Sequence, residues 1–184
     1  PKLGTPLQHR VTAEGELQVR GGTGFAGYYN NPEASAKKIV DGWYRMEDAV
    51  HIADNGELVY LERLEDMREL ASGHRYPPQF IENRLRFSPF IKDAMTIGDA
   101  GKRFVTAFIN IDASTIGPWA EQRGIGYSSF TDLSQHPAVR ELIAREVAAV
   151  NALLPERSRV QRFVNLPNER DADADELTPP RELR

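Results

Sequence analysis

The sequence predicts an α+β protein in two parts: a short β-rich, barrel-like subdomain over 1–66, then a small α+β domain over 67–184 with about three strands and three helices. Three observations carry this. Short β-prone runs alternate with glycine-rich turns from Gly4 to about Asp66, and from there on strand patterns alternate with helical ones. Between the two textures lies YLERLEDMRELASGHRYPPQFIEN, which joins a strand end at Arg63, a charged connector through Asp66, a small-residue turn at Ser72-Gly73 and a helix start at Pro77-Pro78. Such a stretch is a domain joint by composition, or equally an ordinary connection between two elements.

In order, GELQVR reads as a strand and GGTGFAGYY as glycine-rich turn and strand. NNPEASAKKIV reads as a short helix, because Pro32 sits in its first turn, where its missing N–H is no loss. VHIADNGELVYLE is a hairpin pattern: alternating segments flank Asn55-Gly56, both of which tolerate positive φ. After the joint, 78–87 reads as a helix that puts Ile81 and Leu85 on one face and stops at Ser88-Pro89. DAMTIGD and RFVTAFINID are β-branched and aromatic strands around a turn at 98–102. Asp112 suits the N-cap of a helix running through Trp119 to Gln122 and ending at Gly124. The clearest helix spans 137–154, with Val139, Leu142, Ile143, Val147, Val150 and Leu153 at helical spacing and Pro155 as the stop. A last strand, VQRFVNLP, precedes an acidic tail, and no internal repeat is visible.

Composition excludes several function classes. A chain of 184 residues with 40% hydrophobic content can bury a core as one domain or two small ones. No run approaches the roughly 18 apolar residues of a membrane helix. The Pro1-Lys2-Leu3 start lacks the shape of a signal peptide and reads as the edge of an excised segment. Without cysteine there is no disulfide framework or thiolate chemistry, and His9, His51, His74 and His136 lack ligand spacing, so no metal site on protein ligands is expected. A net charge of -4 argues against nucleic acid, whose phosphates need a basic face. Lys37-Lys38 and Arg84-Leu85-Arg86 read as solvated helix faces. In the tail over 168–184 the acids Glu169, Asp171, Asp173, Asp175, Glu176 and Glu182 outnumber Arg170, Arg181 and Arg184, so mobility is expected unless it docks.

Together with the joint, GGTGFAGYYNNPEAS and GWYRMEDAVHIADNGELVYLERLED resemble adenylate-forming (AMP-binding) enzymes, in the region where a large amino-terminal domain hands over to a small mobile lid. Within that superfamily the chain is most similar to the carboxy-terminal portion of a long-chain fatty acyl-CoA ligase, from Gly4 to Arg184. The resemblance implies that Asp48 accepts hydrogen bonds from both ribose hydroxyls of the adenylate, a task suited to two carboxylate oxygens. Arg63 is implied as the second ribose-gripping group. Met46-Glu47 stand where the family has Thr-Gly, and Glu62 where a glycine is usual. Asp66 matches the hinge about which the lid swings, and Ser72, Gly73 and His74 match the loop past which the pantetheine arm of CoA runs. Pro78, Ile81, Glu82 and Asn83 reproduce a structural motif. Glu182 occupies the place of the lysine that reaches the acyl carboxylate and the AMP phosphate. On residues alone, each of these is also read as a surface arginine, an exposed linker aspartate, a solvated turn or a solvated tail.

The function so implied is that of the carboxy-terminal part of an acyl-CoA ligase, whose full-length parent joins a fatty or other carboxylic acid to CoA through an acyl-adenylate, using ATP and Mg²⁺. The upstream part of the same chain is then its partner. The fragment alone, without phosphate loop and acyl pocket, is expected to be inactive and to bind none of these tightly. A cytoplasmic location is implied, with membrane-peripheral association open to the parent. The alternative is a degenerate homologue serving as a nucleotide- or CoA-binding or protein-interaction module, which Met46-Glu47, Glu62 and Glu182 favour.

Overall fold

Asn31 begins the first helix because its side-chain oxygen accepts the Ala34 N–H at 3.0 Å, with Pro32 in the first turn. That helix, α1 (Pro32–Lys38), rides on a five-stranded antiparallel sheet of β1 (Gln8–Val11), β2 (Glu16–Arg20), β3 (Ile39–Val40), β4 (Trp43–Ile52) and β5 (Leu58–Arg63). The structure, a computed structural model, describes residues 7–21, 27–53, 55–169, 177–178 and 182–183. The ten-residue β4 is the spine of the sheet, pairing with β2, β3 and β5. The β4–β5 hairpin turns at Asn55-Gly56 as expected, with Gly56 at φ +82. Its register sets Asp48 opposite Arg63 and Val50 opposite Tyr60, with a bulge between Ala49 and Val50. The β-rich subdomain expected from the sequence is this sheet, whose strand order does not close on itself among the described residues.

The joint carries a ribbon that the sequence reading missed: β6 (Arg68–Glu69) pairs with β7 (Arg75–Tyr76), bent around Gly73 at φ +78. Two residues per strand are too few to show a period. Beyond it, α2 (Pro78–Arg86) buries Ile81 and Leu85 completely, as their spacing predicts. The helix is tied to the next strand by Glu82, whose carboxylate accepts from the Thr96 N–H at 2.7 Å and the Thr96 hydroxyl at 2.8 Å. The second sheet contains β8 (Ile91–Ile97), β9 (Val105–Ile111) and β10 (Val160–Asn165) in the order β10-β9-β8. β8 and β9 run antiparallel, while β9 and β10 are parallel, which requires a long crossover. That crossover holds α3 (Ala113–Glu121), α4 (Phe130–Gln135) and α5 (Pro137–Asn151), then a 3-10 turn over Glu156–Ser158. Asp112 caps α3 by accepting the Thr115 N–H at 3.0 Å.

With α2 to α5 the second part holds four helices among the described residues, where the sequence suggests about three. α4 escaped the sequence reading because six residues give too little apolar periodicity. Local chemistry defines it: the Ser129 hydroxyl accepts the Asp132 N–H at 3.1 Å, and His136 ends it while its Nδ1 accepts the Ala138 N–H of α5 at 3.2 Å. α5 ends at Asn151, short of 154, although Leu154 remains buried.

One apolar cluster runs from Ala49 and Leu61 of the first sheet through Leu70, Tyr76 and Ile81 to Ile109, Ile143 and Val147. Tyr76 is its tightest point: the ring is fully buried, and the hydroxyl donates to the Gly98 carbonyl at 3.0 Å. A β-carbon on Gly98 would lie 2.7 Å from Tyr76 Cε1. Gly98→Ala is therefore expected to lower stability by about 1–3 kcal/mol through overpacking, measured by urea denaturation. An unchanged midpoint would mean that the ring can retreat.

At the end of the chain β11 (Leu177–Thr178) pairs antiparallel with β12 (Glu182–Leu183). The expectation of a mobile tail falls mainly on 170–176, 179–181 and 184, outside the described residues. Glu169 forms an ion pair with Lys92 at 2.9 Å.

Candidate functional site

Asp48 and Arg63 are fifteen positions apart in sequence and face each other across the β4–β5 ladder. Arg63 Nη1 donates to Asp48 Oδ1 at 2.5 Å and to the Met46 carbonyl at 3.1 Å. The Arg63 side chain remains 43% exposed and that of Asp48 18%, so the pair is reachable from solvent. The hairpin turn positions both, because its register decides which β5 residue lies opposite Asp48.

Glu47 adopts φ +59, a left-handed conformation that a glycine takes freely and other residues rarely adopt. The carboxylate is directed into an ion network. Glu47 Oε2 lies 2.5 Å from Lys38 Nζ and 3.7 Å from Arg63 Nη2. The hydrogen bond from Lys38 holds the Glu47 carboxyl below the usual carboxylate range, and the same bond raises the Lys38 ammonium. Lys38, read from sequence as part of a solvated face, is thus a member of the site. Its signal was weak, since nothing in KK tells which lysine points back toward β4. The other basic pair also departs from a purely solvated reading: Arg86 reaches Asp93 at 3.3 Å, and Arg84 lies over the rings of Phe80 and Phe87.

Asp66 closes the turn after β5, its N–H donating to the Arg63 carbonyl at 3.1 Å. With Arg63, Tyr60, Glu62, Gln79 and Asn83 it lines a depression of about 430 Å³. Ser72, Gly73 and His74 lie elsewhere, on a larger cleft of about 730 Å³ whose opposite wall includes Gly15, Val50 and His51. His74 is anchored, its Nε2 lying 2.9 Å from the buried Ser158 hydroxyl. Burial, with a smaller contribution from the Arg157 charge, pushes the His74 imidazole below its ordinary value and favours the neutral ring. The structure therefore brings Asp48, Arg63 and Asp66 to one region and Ser72, Gly73 and His74 to another. The Glu182 backbone pairs with Thr178, and its side chain lies outside the described residues.

The sequence marks Glu62 as an acid at a glycine position that favours the binding-module alternative, and gives no sign of its burial. It is 5% exposed on β5, and neither carboxylate oxygen has a hydrogen-bond partner. Burial pushes its carboxyl up to about 7, against which the Gln79 backbone N–H at the start of α2 pulls without completing a bond of normal geometry.

Among the described residues no group of three or more His, Asp or Glu side chains could hold a metal ion, and no helix is long and apolar enough to cross a membrane. No family model matches the chain. Curated relatives do. The chain is 32% identical over 171 residues to the long-chain-fatty-acid–CoA ligase FadD15 of Mycobacterium tuberculosis, covering 92% of this chain and 28% of that protein. It is 28% identical over 149 residues to long chain acyl-CoA synthetase 1 of Arabidopsis thaliana, covering 81% of this chain and 22% of that protein. Among solved structures, the adenylation domain of a carboxylate reductase from Mycobacterium chelonae is 20% identical with a TM-score of 0.49, covering 98% of this chain and 28% of that one. By these curated relatives the chain belongs to the long-chain fatty acid–CoA ligase family, and it spans 28% and 22% of the two named here.

Proposed function

We propose that the chain is the carboxy-terminal part of an ATP-dependent acyl-CoA ligase, holding the last β-rich subdomain of the large domain (1–66) and the lid (67–184), with Asp66 as the hinge. In the longer protein a fatty or related carboxylic acid is activated with ATP and Mg²⁺ and passed to the thiol of CoA. The single observation that best supports this reading is the Asp48–Arg63 pair at 2.5 Å, partly exposed on the ladder. It fits the ribose of an adenylate: the carboxylate offers acceptors to a diol, and the guanidinium carries further N–H groups beyond the two contacts of Nη1, with Nη2 3.7 Å from Glu47. Ser72-Gly73-His74 supplies backbone without bulk for the pantetheine arm, held by His74 on Ser158.

In that longer protein, Asp48→Ala or Arg63→Ala is expected to weaken binding of a non-hydrolysable AMP analogue by about 1.5–3 kcal/mol, the range for a hydrogen bond to a charged group. Titration calorimetry measures it. Unchanged affinity in folded variants would leave both as surface residues.

A second reading, a nucleotide- or protein-binding module that no longer makes adenylate, is favoured by the network around Glu47. There Arg63 is shared among Asp48, Glu47 and the Met46 carbonyl before any ligand arrives. On either reading the 184-residue chain alone does not catalyse.

A further inference from the structure

Glu62 sits where the two parts of the molecule meet. On one side its strand pairs with β4, with Ala49 as its register partner. On the other, strand β5 lies against α2, and the Gln79 N–H of the first helical turn faces the carboxyl. A carboxylate in such a place normally takes two or more hydrogen bonds, or it gives up its charge. Here both oxygens are buried without a partner. The charged groups around it do not compensate. Asp66 from the connector and Glu82 from α2 oppose its ionisation, Arg68 from β6 favours it, and Arg84 of α2, which lines the same depression, lies over the Phe80 and Phe87 rings. Arg63, next in the strand, is turned to Asp48 and Glu47. The depression of about 430 Å³ bounded by Glu62, Arg63, Asp66, Gln79 and Asn83 lies alongside and gives water a short route to the carboxyl once the seam parts.

We propose that Glu62 is a proton-operated latch: protonated, it lets β5 close on the first turn of α2, and ionised, it opens that seam to admit water. The connector 64–77 runs from the end of β5 to the start of α2, so the state of this one carboxyl sets how firmly the joint is held. The physical reason is asymmetric solvation. The closed seam offers the neutral acid a buried seat and offers the anion only one imperfect N–H and the Arg68 charge, whereas the open seam offers the anion water. The latch does not depend on the molecule being a ligase, and it acts in this chain without nucleotide or CoA.

Hydrogen exchange of the α2 and β5 amides in the 184-residue chain, followed by NMR from pH 5 to pH 8, tests it. After correction for the base-catalysed intrinsic rate, exchange at 79–82 is expected to accelerate by on the order of 10²-fold across that range. This approaches tenfold per pH unit while one proton is released on opening. In Glu62→Gln the corrected rate is expected to be flat, and Glu62→Leu serves if the amide perturbs the fold. The Glu62 carboxyl ¹³C shift in the unmodified chain gives an independent reading and is expected to titrate well above the ordinary range of a glutamate. An ordinary titration of that carboxyl would overturn the latch. So would a corrected acceleration that persists in both variants, or wild-type exchange that does not change with pH.

Discussion

Glu182→Lys is expected to raise ATP–pyrophosphate exchange in the longer protein by on the order of 10²–10³-fold, the scale of one well-placed donor at a comparable site. The family resemblance puts a lysine here, between the acid being activated and the nucleotide phosphate. A carboxylate in that place faces two anions. A unit-charge pair about 4 Å apart at an effective dielectric near 20 is worth roughly 4 kcal/mol, so reversing the sign costs at least as much as deleting the donor. Among the described residues 182–183 pair with 177–178 in a two-residue ladder. Thioester formation from a supplied acyl-adenylate is expected to respond less, because on the proposed reading the lid presents another face to that step. Fast exchange in the wild type that lysine does not improve would show that the function has moved to another group. Absent exchange in both would favour the binding module over the ligase.

Between pH 5 and 8 the folded chain is expected to lose up to about 3 kcal/mol of stability relative to Glu62→Gln, measured by urea denaturation at each pH. The sign follows from the proton balance. In the folded state the Glu62 carboxyl is held at about 7, above its ordinary 4.5. Below 4.5 both states keep the proton, and the contribution is fully present. Between the two values the unfolded chain has released its proton and the folded chain has not, so stability falls as pH rises, and above about 7 the contribution is gone. His74 acts in an overlapping window with the opposite sign. Its folded-state value is lowered, so it stabilises above the ordinary histidine range and loses that contribution as pH falls. Taking the difference between wild type and Glu62→Gln isolates the carboxyl. A difference that does not vary with pH would show that the carboxyl is hydrated in the folded state.

Local chemistry carried most of the fold. Asp112 as a cap, Pro32 and Pro78 at helix starts, Asn55-Gly56 in the hairpin, and Ile81 and Leu85 on one face each follow from interactions within a few residues, and each stands where the sequence reading put it. The family too was legible, because its motifs keep their order over most of the chain. What the sequence could not supply came from partners distant along the chain. Lys38 meets Glu47 only because α1 folds back over β4, and the left-handed turn of Glu47 shows a glycine's backbone under a glutamate's side chain. Asp48 and Arg63 become a pair only when the hairpin register sets them opposite each other, while Ser72, Gly73 and His74 are turned to a different cleft. Glu62 makes the same point most sharply. Its neighbours in sequence, Leu61 and Arg63, say nothing of its charge state. Burial against α2, a helix that begins sixteen positions later, removes the water that would have kept it an ordinary carboxylate. Residue types and their order determined which elements form and to which family the chain belongs. Only the tertiary structure decided which charges meet and which one is left dry, because solvation and pairing depend on distance in space and not along the chain.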